Sequence, residues 1–359
     1  MKVLHVLYDN IFSGAQNVVC QIIDLYKTYE PDTEMIYVSP DGPIREALDA
    51  RGIRFHALEK WSVRSIKKVI NDEQPDLIHA HDMRASVAAV LASGSVPVIS
   101  HIHNNNYNSR GLSLKSIIYG VAALKVKHIF WVSKSSYEGF KFGKCFEGKS
   151  SVLYNVIDCE KIHEHAEAAE IKAAYDIVYV GRLTYQKNPE RLIKVFARVA
   201  MKKTDATFAI VGDGELKEQL ERLVSQLPLE IRGRISLLGY QKNPYGIMEK
   251  AKVMLMTSRW EGTPMCVLEA QELGLPVVST PSDGIADIIV SGENGFLEKE
   301  DDELAKSCLL LLQDASKRAD MSRMAHDFSV RYNDVKAYFD RINDAYHEAL
   351  GIGINKEDR

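Results

Sequence analysis

The sequence predicts an α/β protein of two Rossmann-like domains, each a doubly wound parallel sheet, facing a central cleft. Three observations carry that expectation. Short β-rich runs alternate with helical patterns from end to end, as in a parallel sheet covered by helices on both faces. The strand candidates are nearly continuous apolar runs, which a sheet buried on both sides requires. At 359 residues the chain is too long for one core of ordinary size and fits two domains of about 150–200 residues.

In the first half, residues 3–7 read as a strand and 15–26 as a helix, with Val18, Val19, Ile22, Ile23 and Tyr26 on one face. Further strands are expected at 34–38, 53–57, 76–80, 97–100, 128–132 and 152–154. Helical patterns lie between most of them, at 43–50, 63–71, 84–92, 112–124 and 135–142. From Cys159 to Tyr175 the chain is rich in Glu, Lys, His and Ala, shows no strand pattern and reads as a linker. The alternation then resumes, with strands at 177–180, 207–211, 235–238, 253–256 and 276–279. Helices are expected at 189–201, 215–227, 244–250, 264–273 and 302–313. Residues 334–350 form one long helix with Tyr338, Ile342, Tyr346 and Leu350 in register. The expected organisation is a first domain over 1–165, a second over 166–333, and a terminal helical segment, 334–359, packed back on the first.

Composition narrows the function classes. The net charge of −4 excludes a strongly basic nucleic-acid binder. Five scattered cysteines (20, 145, 159, 266 and 308) with no C-x-x-C pair argue for a reducing compartment and against a disulfide scaffold or structural zinc. No apolar run reaches the 18 or so residues a membrane helix needs, and the N-terminal apolar stretch is too short for a signal peptide. A cytoplasmic protein is expected, with a place at the inner face of the cell membrane left open.

Ligands of α/β sheets bind beyond the carboxyl ends of the strands, so motifs at strand ends matter most. At 257–278 a strand ends at Ser258, a Gly262-Thr263 turn follows, and Pro264 begins a helix. Such a helix offers free N–H groups and a positive dipole end suited to phosphate. Glu261 precedes the turn, and Glu269, inside the helix, can accept from two vicinal hydroxyls such as a ribose offers. The same pattern also serves a helix whose Glu caps its own first turns. In Val180-Gly181-Arg182-Leu183-Thr184-Tyr185-Gln186-Lys187-Asn188-Pro189, two cations lie five apart between strand and helix. Arg grips phosphate oxygens bidentately and Lys adds a point charge, although a solvated basic loop looks alike.

Gly14 joins the first strand to the first helix and lets backbone approach a phosphate, or simply makes the turn. His79-x-His81 and His101-x-His103 each end a strand with both rings on one face. That is metal-ligand spacing, yet with no Cys nearby and no His-Glu-x-x-His a zinc site is not expected. One of these histidines can bond a substrate hydroxyl, or satisfy backbone at a strand end. The chain has no G-x-x-x-x-G-K-[ST]. Gly212-Asp213-Gly214 does not complete G-x-G-x-x-G, which disfavours an ordinary dinucleotide-binding dehydrogenase. No Asp-x-Asp occurs, so a diphosphate must rely on Arg182, Lys187 and a helix N-terminus.

Taken together these residues resemble glycosyltransferase family 4, retaining sugar-nucleotide transferases of the GT-B fold. The most specific element is Glu261 and Glu269 within Glu-Gly-Thr-Pro-Met-Cys-Val-Leu-Glu-Ala. Supporting it in family order are Gly181-Arg182-Leu183 with Lys187, Asp76-Leu77-Ile78-His79-Ala80-His81, Tyr154-Asn155-Val156-Ile157-Asp158 and Asn294-Gly295-Phe296. The resemblance makes the first domain the acceptor side and the second the nucleotide-sugar donor side. It implies that Arg182 and Lys187 bind the donor diphosphate and stabilise the leaving group, together with Gly181. Backbone N–H groups of Gly262, Thr263, Met265 and Cys266 contact the donor, Glu269 holds the ribose hydroxyls, and Glu261 binds the donor sugar near the reacting carbon. His103 lies by the reaction centre, and Gly14 faces the phosphates. His103, Glu261, Arg182 and Lys187 are thus the expected catalytic set. No cofactor or metal is implied beyond the nucleoside-diphosphate sugar, with a UDP-sugar the expected donor. The chain departs from the family pattern at Ser13-Gly14, where a double glycine is usual, at Asp287, and at Asn104-Asn105-Asn106 after His103.

Residues 110–149 hold eight cations (Arg110, Lys115, Lys125, Lys127, Lys134, Lys141, Lys144 and Lys149) against Glu138 and Glu147. An apolar stripe of Leu112, Leu114, Ile117, Ile118, Tyr119 and Val121 runs among them. A basic amphipathic surface of this kind suits an anionic membrane, while a buried stripe with a solvated lysine rim is the alternative. The reading favoured is a transferase that builds a surface (capsular or exo-) polysaccharide or glycolipid on a glycan or lipid-linked acceptor. A GT-B sugar-nucleotide epimerase and a silent nucleotide-sugar-binding module are the competitors.

Overall fold

The computed structural model describes residues 1–104, 111–170 and 173–353, which form two compact units. Arg110, counted above in the basic stretch, lies outside the described residues, as do Asn105 and Asn106.

The first unit comprises Met1–Asn155 together with the segment from Val335. Its sheet has seven parallel strands: β1 (Lys2–Val6), β2 (Glu34–Pro40), β3 (Phe55–Leu58), β4 (Leu77–His81), β5 (Val98–Ile102), β6 (His128–Trp131) and β7 (Ser150–Val152). Their order is β3-β2-β1-β4-β5-β6-β7, so the winding reverses between β1 and β4, where α/β sheets open a binding crevice. Leu4, Val6, Ile36, Ile78 and Trp131 are fully buried in its core. The helix Val335–Leu350 packs on this unit, with Tyr346 Oη 2.6 Å from His79 Nδ1 and Tyr26 stacked on Tyr346.

The second unit spans Val156–Asp334. Its six parallel strands are β8 (Ile177–Val180), β9 (Phe208–Val211), β10 (Ile235–Gly239), β11 (Val253–Met256), β12 (Val277–Ser279) and β13 (Gly295–Leu297). The order β10-β9-β8-β11-β12-β13 places its reversal between β8 and β11. The linker reading of 159–175 fails at its start, because Cys159–Glu167 is a helix. Asp158 caps it through a bond from Lys161 N at 3.1 Å, and His163 reaches the Glu272 carboxylate at 3.0 Å, which ties it into the second unit. The division accordingly falls at Asn155, ahead of residue 165. Asn333 clasps the chain where it enters this unit: its Oδ1 accepts from Ile157 N at 2.7 Å and its Nδ2 donates to Ile157 O at 2.9 Å.

Candidate active site

The loops that leave β8 and β11 start on adjacent strands at the reversal, so they meet. Arg259 N donates to Gln186 O at 2.8 Å, and Thr257 Oγ1 donates to Asn188 O at 3.1 Å. The Arg259 guanidinium reaches Asn188 Oδ1 at 3.0 Å and lies over the Tyr185 ring. Asn188 adopts a left-handed φ of +54° just before the helix Pro189–Lys202.

This stitching brings Lys187 to Glu261, with Nζ 2.6 Å from Oε1. Ser258 Oγ donates to the same oxygen at 2.5 Å, and Gln186 Nε2 donates to Trp260 O at 2.9 Å and to Glu261 Oε2 at 3.4 Å. Burial pushes the Lys187 ammonium down, but the charge of Glu261 and its hydrogen bond outweigh it and hold Lys187 above its usual value; Arg182 opposes them. Arg182 itself is exposed, and its guanidinium makes no ion pair or hydrogen bond among the described residues. Its carbonyl is fixed instead, by Tyr179 Oη at 3.0 Å.

The helix Met265–Glu272 follows, entered through an extended Pro264. Met265 and Cys266 are its first residues, so their N–H groups have no acceptor within the helix. Gly262 and Thr263 are buried beside them. Glu269 is buried, with Oε1 accepting from Tyr245 Oη at 3.3 Å. Burial raises its carboxyl to about 7, with Tyr245 opposing. Burial also pushes the Cys266 thiol up to about 12, so it is no nucleophile at neutral pH. Behind Glu261, Gly284 N donates to its carbonyl at 3.3 Å, which links the 282–287 loop to the site.

Arg182, Lys187, Glu261, Glu269 and the 262–266 backbone therefore belong to one unit. Gly14 and His103 belong to the other. Gly14 opens the helix Gly14–Tyr29 at an exposed end, with open space where a Cβ would sit. His103 is buried, and its backbone N–H donates to Asp82 Oδ1 at 2.9 Å. His5, His79, His81 and His101 are buried on the same face of the first sheet.

The sequence motifs did not reveal Gln186, Ser258 or Tyr245, which hold the two glutamates. Ser258 stands inside the motif, three residues before Glu261, but nothing in a lone serine announces its partner. Tyr245 contacts Glu269 across 24 residues of sequence.

Two family models match the chain: Glycosyltransferase Family 4 over residues 18–161 and Glycosyl transferases group 1 over residues 161–328. The chain is 25% identical to the Escherichia coli UDP-Gal:alpha-D-GlcNAc-diphosphoundecaprenol alpha-1,3-galactosyltransferase, over 99% of this chain and 98% of that protein. It is 32% identical to an uncharacterized glycosyltransferase of Methanocaldococcus jannaschii over 60% of this chain, an alignment that spans 58% of the relative's length. Among solved structures, Anabaena HepE in complex with UDP-glucose superposes with a TM-score of 0.83 at 20% identity, covering 96% of this chain and 98% of that one.

Proposed function

The chain belongs to glycosyltransferase family 4, with the GT-B fold, and from that premise we propose that it is a retaining, metal-independent transferase using a UDP-sugar. The acceptor is a hydroxyl of a glycan or lipid-linked sugar, and the product a capsular or exopolysaccharide or a glycolipid. The observation that carries this reading is the Lys187–Glu261 pair with an exposed Arg182 guanidinium, unpartnered among the described residues, on the same loop.

Charge grows on the nucleoside diphosphate as the sugar departs. Lys187, held by Glu261, and the N–H groups of Met265 and Cys266 that open their helix are fixed before the reaction, and such preorganised donors stabilise developing charge most effectively, while Arg182 adds a second cation from the same loop. Glu261, held by three donors, accepts from hydroxyls of the sugar without turning away to solvent. Glu269 accepts the ribose hydroxyls. In a retaining transfer the acceptor hydroxyl attacks from the face the phosphate leaves, and the departing phosphate takes its proton, so no dedicated protein base is needed. A lipid-linked acceptor accords with the diphosphoundecaprenol named for the E. coli relative.

Membrane contact through residues 111–149 is part of the proposal. The helix Leu114–Ala123 buries Ser116, Tyr119, Ala122 and Ala123 and turns Leu114, Ile117, Ile118 and Val121 outward. With Leu112 and Leu124 exposed beside them, and Lys115, Lys125 and Lys127 around the rim, the outward face is apolar and basic. No described helix is long and apolar enough to cross a membrane.

A thermal-shift panel of UDP, GDP, ADP and their sugar conjugates in EDTA tests the donor. Stabilisation by several degrees with the uridine series is expected, and a flat panel overturns the reading. Incubation with a UDP-sugar and a polyprenyl-diphosphate sugar, followed by NMR of the product anomeric centre, tests acceptor and retention. Donor conversion without acceptor would favour the epimerase.

A further inference from the structure

Parallel register puts His5 of β1 beside His79 of β4, and His81 of β4 beside His101 of β5. His103 continues the same face two residues on. All five rings are buried. Three of them are hydrogen-bonded in series from a thioether: Met35 Sδ lies 3.0 Å from His5 Nε2, His5 Nδ1 lies 3.0 Å from His81 Nε2, and His81 Nδ1 lies 2.8 Å from His103 Nε2.

The direction of that chain follows from its end. Burial holds His5 and His103 down at about 3 and His81 well below the ordinary value, so each ring is neutral, with one N–H and one bare nitrogen. A thioether can only accept, so His5 Nε2 carries the hydrogen and His5 Nδ1 is bare. His81 Nε2–H then donates to His5 Nδ1, and His103 Nε2–H donates to His81 Nδ1. His103 Nδ1 is left as a bare acceptor. In the reverse direction a lone pair of His5 would face the sulfur, and His103 Nδ1–H would be a buried donor with no acceptor, since that atom has no partner among the described residues. Orphaned buried donors are rarer than orphaned acceptors, so both ends favour the same direction.

We propose that Met35, His5 and His81 are positioning residues that lock His103 in its Nε2–H tautomer, so that Nδ1 accepts a hydrogen bond from a hydroxyl of a sugar substrate. The identity of that ligand rests on the transferase reading; the tautomer does not. An acceptor at this point selects a hydroxyl over a carbonyl, whether it comes from the donor sugar or the acceptor sugar. The covering atoms must shift for it to arrive, because Nδ1 is enclosed in the ligand-free chain.

The same rings offer a rival. Nitrogens of His5, His79 and His81 lie within 4.8 Å of one another, and so do those of His81, His101 and His103, so either set is close enough for three ligands of a metal ion. A metal in either set would take nitrogens that the relay uses. In each set two rings stack, His79 on His81 with centroids 4.3 Å apart and planes 29° from parallel, and His101 on His103 at 4.2 Å and 26°, so their lone pairs run side by side rather than converging.

Histidine 15N spectra of the full chain decide the matter, with the His103 signals assigned by their loss in His103→Gln. The expected spectrum shows His103 Nε2 protonated and Nδ1 bare. In Met35→Leu, which keeps volume and removes the acceptor, His103 becomes a mixture of tautomers. The Michaelis constant of whichever sugar substrate supplies the hydroxyl rises about two- to tenfold, the value of one neutral hydrogen bond, with kcat nearly unchanged. Separate titrations of donor and acceptor show which sugar it is. His81→Gln, whose amide can both accept and donate, recovers more affinity than His81→Phe. A protonated Nδ1 in the wild type, an unchanged tautomer in Met35→Leu, or stoichiometric Zn²⁺ bound at this cluster would overturn the relay. A correct tautomer with no change in either Michaelis constant would overturn the ligand assignment. Failure of the transferase reading itself shows separately, as a flat nucleotide panel.

Discussion

Lys187 Nζ and Glu261 Oε1 stand 2.6 Å apart, with side chains only 12% and 5% exposed, and Ser258 bonds the same carboxylate oxygen. Arg182 sits on the same loop with its charge in solvent. The two cations therefore differ in what they do for the fold, although the same role on the leaving diphosphate is proposed for both.

That difference is measurable. Lys187→Met or Glu261→Gln leaves one charge buried without its partner, and each should cost about 3–5 kcal/mol of stability. The double variant should lose clearly less than the two single losses combined, because neither charge is then stranded. Arg182→Ala should move stability by no more than about 0.5 kcal/mol and still cut turnover by about 10²–10³, the worth of one charged contact made to the leaving group in the transition state. Urea unfolding and a transfer assay on the same preparations separate the two effects. Near-normal turnover in Arg182→Ala would remove it from the catalytic set.

Glu269 sets a pH dependence. Burial raises its carboxyl from 4.5 to about 7, so in the ligand-free protein it is protonated below that point. A protonated carboxyl loses the charge that favours accepting from two ribose hydroxyls. Donor affinity is therefore expected to fall as pH drops below about 7, by up to tenfold per unit for one linked proton. The stability effect has the opposite sense. Between about 4.5 and about 7 the folded state holds a proton that the unfolded state has released, so this group's contribution declines as pH rises through that window. Glu269→Gln removes both trends. Calorimetric UDP titrations and melting curves at several pH values, for wild type and variant, check each sign.

What the sequence made legible follows from how each element is buried. The strands Ile177–Val180 and Val253–Met256 are apolar throughout because both faces of their sheet are covered, and their bounds are readable to the residue. The helix Ala315–Tyr332 went unread because its buried residues are only Met321, Ala325 and Ser329, a stripe too narrow and too polar to stand out. The helix Cys159–Glu167, taken for a linker, buries just Ile162 and Ala166. Strand β13 has three residues and no pattern to show. In the site, Glu261 and Glu269 were visible because a strand end and a helix start frame them. The paired His-x-His motifs announced a shared face, but only strand register could add His5 and Met35 to it.

Gly212 tests how the donor loop is built. Its φ is +144°, and a Cβ there would lie 1.9 Å from the Gly181 carbonyl oxygen, a backbone atom that cannot swing aside. Gly212→Ala must push the 181–183 segment away from the 212–214 turn, against the bond from Leu183 N to Asp213 O at 2.9 Å. A loss of at least about 1–3 kcal/mol is expected, with weaker UDP binding because Arg182 moves with the segment. Gly148→Ala is the control, since it meets no atom within 4 Å and needs no positive φ. Equal melting temperatures for the two variants would refute the packing argument.

The outward face of Leu114–Ala123 yields the last prediction. Leu114, Ile117, Ile118 and Val121 are between 44% and 72% exposed, so replacing three of them with serine removes little packing and should lower melting only slightly. If the face lies on a membrane, each side chain contributes up to about 1.5–3 kcal/mol on burial and each rim lysine about 1 kcal/mol near anionic lipid. The triple variant Leu114→Ser, Ile118→Ser, Val121→Ser should then lose at least about a hundredfold in sedimentation with anionic vesicles. Lys125→Glu with Lys127→Glu should weaken binding most at low salt, where screening is least. Lys149 behaves differently, because its ammonium donates to the carbonyls of Ala123, Leu124 and Val126 at the end of this helix. Lys149→Met should therefore cost stability more than vesicle affinity, which separates the cation that closes the helix from those that face lipid. Wild-type protein that fails to sediment with anionic vesicles, or does so without salt dependence, would sink the membrane assignment and leave the exposed stripe to a protein partner.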